Sequence, residues 1–324
     1  MMPKARKLSF PEIWETLTIF FVDEGLEQEI DQEVERLLAE AERYGAKNLS
    51  TPEELATLLQ DEGKGPLEFV LHEIGLSQEK FLRIISLLRK VGVVSVPLGP
   101  KDKEWTMEQI VRRICQDRVL AATVAQLLMD GVRDHRLQDT IPRYYLETLN
   151  FRELTGVPDA VRRTRYKHAL IGTYSGRKGY RVESLIQKKL EGIQRYDGVG
   201  YERGRSLLIA TDIDFALPKV EDPWVVIMCS FQETTSSGQS TKARDMPEAY
   251  DRIRHINFSR NESRVFVNFI DGGGWLARKG DLKRLVEHCD YALNLRHLDM
   301  LEAIVRQHIP DKYFQPPSLI SAYP

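Results

Sequence analysis

The sequence predicts an α/β protein: a helical N-terminal domain, residues 1–150, precedes a C-terminal domain, residues 151–324, with a central mixed β-sheet flanked by helices. Up to residue 150, apolar residues recur at the three- and four-residue spacing of amphipathic helices. Beyond it glycines become frequent, and strand-like runs alternate with helical ones. The strands are expected at 206–217, 224–232 and 265–270, and the helices at 182–194, 246–256 and 282–289.

The N-terminal helices are expected at residues 25–44, 53–60 and 78–91, with one or two more across 105–128. Short helices joined by tight turns fit a helix-turn-helix DNA reader, and they fit equally a helical bundle used for packing or dimerisation. The absence of a basic recognition helix favours the bundle. A role in DNA recognition, in dimerisation or in both is therefore expected for this domain.

The composition is that of an ordinary soluble globular protein, with 42% apolar and 29% charged residues. The three cysteines (Cys115, Cys229 and Cys289) are far apart, and the sequence has no CxxC or HExxH pattern. This spacing argues against a disulfide framework and a structural zinc site, and it favours a reducing, cytoplasmic location.

A local excess of basic residues interrupts the nearly neutral charge of the chain, which is −2 overall. Glu183 is the one acid among the basic residues of segment 161–189: Arg162, Arg163, Arg165, Lys167, Arg177, Lys178, Arg181, Lys188 and Lys189. Such a segment is either a footprint for a polyanion or a solvated charged face. Its place directly before the acidic strand described next keeps both interpretations open.

Asp212 and Asp214 lie two residues apart in the first predicted strand, so their side chains share one face of the sheet. The next strand is apolar at first and becomes polar towards Gln232. Two acidic side chains facing the end of a neighbouring strand can hold a divalent metal against a phosphate. The same residues could also serve as simple turn formers at a strand end.

Polar residues suited to DNA contacts surround this strand pair. Their hydroxyl, amide and ammonium groups are those used for phosphates and base edges: Thr234, Thr235, Ser236, Ser237, Gln239, Lys242, Arg177 and Lys178. Within this set Gln239 is a candidate for adenine, and Lys242 for guanine or phosphate. Glu183, on the upstream helix, is either a further site acid or the partner of a basic residue on its own helix.

A glycine-rich sequence, Asp271–Trp275, follows the third strand. It lacks the lysine and Ser/Thr of a phosphate-binding P-loop and the spacing of a dinucleotide-binding turn. We therefore expect a tight strand-to-helix turn with Trp275 packed beneath it.

Four motifs in this order carry a resemblance to a known family. They are Gly179–Glu183 on a helix, Asp214-Phe215 after a strand, the loop Ser236–Lys242, and Asp271–Trp275. Together they resemble type II restriction endonucleases of the PD-(D/E)XK superfamily, most closely the DpnII/MboI-type group, over about residues 170–300. The resemblance implies a restriction-endonuclease-like domain that hydrolyses specific sites in double-stranded DNA with Mg²⁺, with Asp214 and the adjacent Asp212 as metal ligands.

The resemblance further implies a homodimer acting in a host-defence system beside a cognate DNA methyltransferase. A homodimer is expected because a two-fold protein matches a symmetric DNA site.

One position departs from the family pattern. In the family, the second strand carries an acid and, two residues further on, a Lys, Gln, Asn or Glu. If Asp214 anchors the register, these positions fall on Met228 and Ser230, and a shift of two places them on Ser230 and Gln232. A thioether and a hydroxyl are poor replacements for a carboxylate on a hard cation. Glu233 is the nearest acid, but it faces away unless a bulge turns it.

Three functions stay open at this stage. The chain is a restriction endonuclease that uses Glu183, Asp212, Asp214 and Gln232 in an unusual arrangement, or it is a site-specific DNA-binding protein that lost its chemistry at Met228. The third is a repair nuclease for structured or damaged DNA, which lacks site specificity.

Overall fold

The structure is a computed structural model that describes residues 5–47, 49–94, 104–138, 140–154, 156–233 and 237–314. The chain forms two compact units. The N-terminal unit is Glu24–Tyr174, and the C-terminal unit combines Met1–Asp23 with Ser175–Pro324. This division differs from the predicted boundary at residue 150 in two ways: the first 23 residues belong with the C-terminal part, and residues 151–174 belong with the N-terminal part.

Helices dominate the described residues. They are α1 (Phe10–Glu15), α2 (Glu24–Gly45), α3 (Pro52–Glu62), α4 (Lys64–Glu73), α5 (Gln78–Lys90), α6 (Met107–Gln116), α7 (Arg118–Asp130), α8 (His135–Gln138), α9 (Arg143–Leu146), α10 (Phe151–Leu154), α11 (Asp159–Asp197), α12 (Ser237–Arg260), α13 (Lys279–Glu287) and α14 (Met300–His308). Short 3₁₀ helices occur at Gly131–Arg133, Gly273–Arg278, Leu295–His297 and Asp311–Tyr313. None of the helices in these ranges is long and apolar enough to cross a membrane.

The helices of the N-terminal unit begin where side chains can satisfy their first N–H groups. The Thr51 hydroxyl accepts from the Glu54 N–H, and the Glu54 carboxylate accepts from the Thr51 N–H, which is a capping box. Asp117 caps α7 in the same way through the N–H groups of Val119 and Leu120. The inward faces form one apolar core that excludes water.

Much of the basic segment is already paired inside the N-terminal unit. Arg163 lies 2.7 Å from Glu35, and Lys167 lies 2.7 Å from Asp31. Arg162 donates to the fully buried carboxylate of Glu73 at 2.7 Å. These pairs account for the first part of the segment by contacts within the chain, which favours the charged-face interpretation there.

The C-terminal unit contains a five-stranded mixed sheet, as expected for an α/β restriction-endonuclease-like fold. Its strands are β1 (Glu202–Ser206), β2 (Thr211–Leu217), β3 (Val225–Phe231), β4 (Val265–Asp271) and β5 (Tyr291–Leu293), in that spatial order. The β1–β2 and β2–β3 pairs are antiparallel, and the β3–β4 and β4–β5 pairs are parallel. Apolar side chains of the sheet share one core with those of α11 to α14.

The predicted strand at 206–217 is wrong at its start, because a hairpin turn interrupts it. β1 ends at Ser206 and β2 begins at Thr211. The turn contains no Gly, Pro, Asn or Asp, and Ala210 adopts the left-handed conformation with φ of 56°. Arg252 on α12 stabilises it by donating to the carbonyl oxygen atoms of Ile209 and Ala210.

The glycine-rich sequence after β4 is the tight turn that we expected, and Trp275 is fully buried beneath it. The Asp271 carboxylate, also fully buried, accepts four backbone and side-chain hydrogen bonds. They come from the N–H (2.6 Å) and hydroxyl (2.9 Å) of Thr18 and from the N–H groups of Gly272 (2.8 Å) and Leu295 (3.0 Å). Asp271 therefore fastens the N-terminal segment to the end of the sheet.

We predict that Gly272→Ala lowers the free energy of unfolding by about 2–4 kcal/mol, because it combines left-handed strain with overpacking. Gly272 has φ of 108°, and an added Cβ would lie 2.2 Å from the carbonyl oxygen of Gln232. Urea denaturation measures the change.

Gly192→Ala is the matched control, because no neighbouring atom lies within 4 Å of a Cβ added there. This helical position should gain about 0.5–1 kcal/mol. Equal stability of both variants would contradict the proposed packing of the turn.

Candidate active site

Asp214 occupies the centre of the candidate site, in the middle of β2. Phe215 pairs with Ile227 across the antiparallel β2–β3 register, so Asp214 lies opposite Met228. Its Oδ2 accepts a hydrogen bond from the Cys229 N–H at 2.7 Å and lies 3.4 Å from the Lys242 Nζ on α12. The carboxylate is thus held against β3 with an ammonium group beside it.

The second strand carries the three positions that the sequence singled out. Met228 and Ser230 are buried, and the Ser230 hydroxyl finds no hydrogen-bond partner among the described residues. Gln232 follows the end of β3 and is half-buried. Its N–H donates to the backbone carbonyl oxygen of Asp271, and its own carbonyl oxygen accepts from the Gly274 N–H. The backbone of Gln232 is therefore fixed by the glycine turn.

Glu183 is paired with a residue that the sequence did not single out. Arg203 on β1 donates to the Glu183 carboxylate and, through Nε, to the Asp214 carbonyl oxygen at 3.0 Å. Its guanidinium also lies 4.6 Å from the centre of the Phe215 ring. Arg203 therefore links the acid of α11 to the strand that carries Asp214, and the predicted pairing of Glu183 within its own helix is not the one observed.

Asp212 lies two residues before Asp214 on β2 but differs in environment. Its side chain is 80% exposed, and its nearest described cation is Arg205, at 3.8 Å on the adjacent strand. The structure thus separates the two aspartates into a half-buried one against β3 and an exposed one near the hairpin.

Glu233, the acid nearest to the end of β3, is held by α11. The Lys178 Nζ donates to both carboxylate oxygens of Glu233, at 2.7 and 2.8 Å, and both side chains are mostly buried. This pair fixes Lys178, which the sequence suggested as a DNA contact, to the strand end.

The other suggested DNA contacts have different fates. Thr234, Thr235 and Ser236 lie outside the described residues, and Ser237 begins α12. Gln239 is fully buried, so in this conformation it does not present its amide to an adenine edge, whereas Arg177 is exposed.

The charges around Asp214 act on one buried thiol. Burial raises the pKa of Cys229 well above its ordinary value, and the negative charges of Asp214 and Glu183 raise it further. Lys242 and Arg203 act on the same pKa in the opposite direction. Both acids and both cations therefore lie near enough to Cys229 to influence the charge of its thiol.

Oxygen atoms suited to a metal ion are few at this site. In the described ranges, no group of three or more His, Cys, Asp or Glu residues is placed to hold a metal ion together. Asp214 and Glu183 are the two carboxylates beside Cys229, and Met228 adds only a thioether. This donor set can provide one or two carboxylates, and phosphate and water complete such a coordination sphere where Mg²⁺ binds.

Sequence reasoning missed Arg203 and the proximity of Lys242 to Asp214. Arg203 was missed because β1 was not recognised as a separate strand. A signal was available for β1: Gly198 and Gly200 mark a turn before the charged segment that forms this strand. Lys242 was considered only as a DNA contact, and its place one helix away gave no spacing by which to connect it with Asp214.

Residues 181–309 match the family model described as the BanI C-terminal domain. This part of the chain, less than half of its length, is therefore a type II restriction-enzyme-like domain. No curated protein and no solved structure matches the chain. The finer likeness to the DpnII/MboI-type group stays a prediction.

We predict that a thiol reagent at pH 8 modifies Cys115 in the folded protein and leaves Cys229 and Cys289 unmodified. Cys115 is exposed, whereas burial raises the pKa of Cys289 to about 12 and that of Cys229 well above its ordinary value. The reactive thiolate is thus nearly absent at both buried positions. Mass spectrometry of labelled peptides, with unfolded protein as the control, measures this; rapid native labelling of Cys229 would contradict the buried site.

Proposed function

We propose that the chain is a type II restriction endonuclease that hydrolyses phosphodiester bonds at specific sites in double-stranded DNA with Mg²⁺. The observation that carries the proposal is the position of Asp214: a half-buried carboxylate against β3, inside the domain that matches a restriction-enzyme family model. Lys242 and Arg203 add positive charge where a phosphate would lie.

The two carboxylates of Asp214 and Glu183 are as many protein ligands as Mg²⁺ commonly uses. Mg²⁺ is commonly held by one or two carboxylates, with substrate phosphate and water as the remaining ligands. Asp214 would be the first ligand and Glu183 the second, and the exposed Asp212 is the adjacent alternative. Bound there, the ion would lower the pKa of a water molecule and neutralise charge on the phosphate.

The residues of the chain have separate roles in this proposal. Asp214 is oriented by the Cys229 N–H, so its position follows from the strand register. Lys242 would bind a phosphate oxygen, and Arg203 pairs with Glu183. Ser230 on β3 and Gln232, directly after the end of β3, are the groups left to position water, and the backbone of Gln232 is held by the glycine turn.

A second candidate function rests on Met228. Because a buried thioether faces Asp214 across the register, the site lacks the acid that the resemblance places there. A DNA-binding protein on the same fold, without cleavage, is the alternative that this residue favours. This alternative predicts that the affinity for DNA falls steeply with salt and that the protein does not cut DNA when Mg²⁺ is added.

The wider setting belongs to the same proposal. A homodimer would bring two sites to the two strands of a symmetric target, and a cognate methyltransferase would protect host DNA in the cytoplasm. The domain match supports a restriction enzyme in general.

We predict that the wild-type protein cuts long unmethylated duplex DNA into discrete fragments with Mg²⁺, and that Asp214→Asn slows cutting by at least about a hundredfold. Loss of the metal ligand removes several kcal/mol of transition-state stabilisation. Gel analysis of timed digests measures the rate.

Asp299→Asn is the control for that experiment, because Asp299 is an exposed surface partner of Lys189. A smear instead of discrete fragments would favour a repair nuclease. Equal rates for wild type and Asp214→Asn would contradict the assigned site.

We predict that Met228→Glu binds Mg²⁺ more tightly than wild type, because it places a carboxylate opposite Asp214. Without metal the variant should lose stability, since two buried like charges face each other. Melting temperature measured with and without Mg²⁺ tests this, with Met228→Leu as the control of similar volume. A metal-independent melting temperature for Met228→Glu would show that position 228 lies away from the ion.

A further inference from the structure

Asp214 and Glu183 are each paired with a cation. Asp214 pairs with Lys242 at 3.4 Å, and Glu183 pairs with Arg203. The four side chains are partly exposed, between 24% and 43% of their surface, so solvent ions and a ligand can reach them. The local charge of this set is zero, and a divalent cation gains little by approaching it.

A DNA phosphate would attract the two cations of this set and repel its two acids. Its anionic oxygens attract ammonium and guanidinium groups, which bind phosphate by short, charge-assisted hydrogen bonds. Lys242 and Arg203 each carry one positive charge, so each can compensate the charge of a carboxylate or that of a phosphate, but not both in full. When both cations turn to phosphate, Asp214 and Glu183 are left with uncompensated negative charge.

On this basis, which rests on the proposed function, we propose that Lys242 and Arg203 form a charge-exchange pair that controls metal binding. In the DNA-free protein they hold Asp214 and Glu183; on DNA binding they transfer to the phosphate backbone and release both carboxylates for the metal ion. The protein thus acquires its full affinity for the ion only on DNA.

Thermodynamic linkage fixes the form of this control. If DNA raises the affinity for the ion by some factor, the ion raises the affinity for DNA by the same factor. Removal of either cation should therefore raise metal affinity without DNA and reduce the enhancement that DNA provides. The alternative is that DNA strengthens metal binding only because its phosphate coordinates the ion. In that case the same variants would leave the metal affinity without DNA unchanged, because the cations would not be neutralising the carboxylates.

The experiment measures Ca²⁺ binding by isothermal titration calorimetry, with and without a long duplex DNA. Ca²⁺ is the probe because it takes the same carboxylate oxygens. The variants are Lys242→Met and Arg203→Met, each of which keeps an unbranched, flexible side chain and removes its charge. Far-UV circular dichroism and melting temperature confirm that each variant folds.

The chain offers a matched control for each variant. Lys189, paired with Asp299, is 29% exposed against 32% for Lys242, and Arg306, paired with Asp197, is 41% exposed against 43% for Arg203. Lys189→Met and Arg306→Met therefore lose the same charge and a similar ion pair elsewhere in the same unit.

We expect Lys242→Met to raise the Ca²⁺ affinity of the DNA-free protein on the order of tenfold, the effect of removing one positive charge close to a divalent ion in water. Arg203→Met should act in the same direction, and neither control should change the affinity. The enhancement by DNA should shrink correspondingly in the two site variants.

Three results would overturn the exchange: Ca²⁺ affinities of the site variants equal to those of their controls, an unchanged enhancement by DNA, or no Ca²⁺ binding by any protein. DNA cleavage is scored separately with wild-type protein and Mg²⁺. Cleavage with unchanged Ca²⁺ affinities removes the exchange alone, whereas raised affinities without cleavage remove the proposed endonuclease activity alone.

Discussion

The antiparallel register between β2 and β3 is the constraint on which the candidate site depends. Because Phe215 pairs with Ile227, Asp214 must lie opposite Met228, and its carboxylate meets the N–H of Cys229. A shift of one residue would turn Asp214 to the other face of the sheet. The same register therefore places the one well-positioned acid and also the residue that departs from the family pattern.

A buried carboxylate at the end of β4 supports this arrangement from the neighbouring strand. Asp271 receives the Thr18 N–H and hydroxyl, so the N-terminal segment becomes part of the C-terminal unit. The glycine turn that follows allows close approach to the backbone of Gln232. Residues separated by 253 positions thus fix the end of β3, and a change in this turn should act on the site through Gln232.

Regular elements with clear periodicity could be predicted from the sequence. The strands expected at 224–232 and 265–270 lie within one residue of β3 and β4, because continuous apolar runs mark buried strands. The short β5 and the hairpin between β1 and β2 were missed, since the turn residues Leu207 to Ala210 look like strand residues. For the site, the sequence pattern singled out Asp214, and the family resemblance singled out Met228 on the next strand. The Arg203 and Lys242 pairs could not be predicted, because they join elements distant in sequence.

Localised cleavage of the polypeptide by hydroxyl radicals tests most directly whether Asp214 marks the metal site. Iron(II) replaces Mg²⁺ on the protein–DNA complex, and ascorbate with peroxide then breaks the chain near the bound ion. We expect breaks close to residues 183 and 214 in wild-type protein and their loss in Asp214→Asn. Breaks that persist in the variant, or that fall elsewhere in the chain, would contradict a metal site built on Asp214.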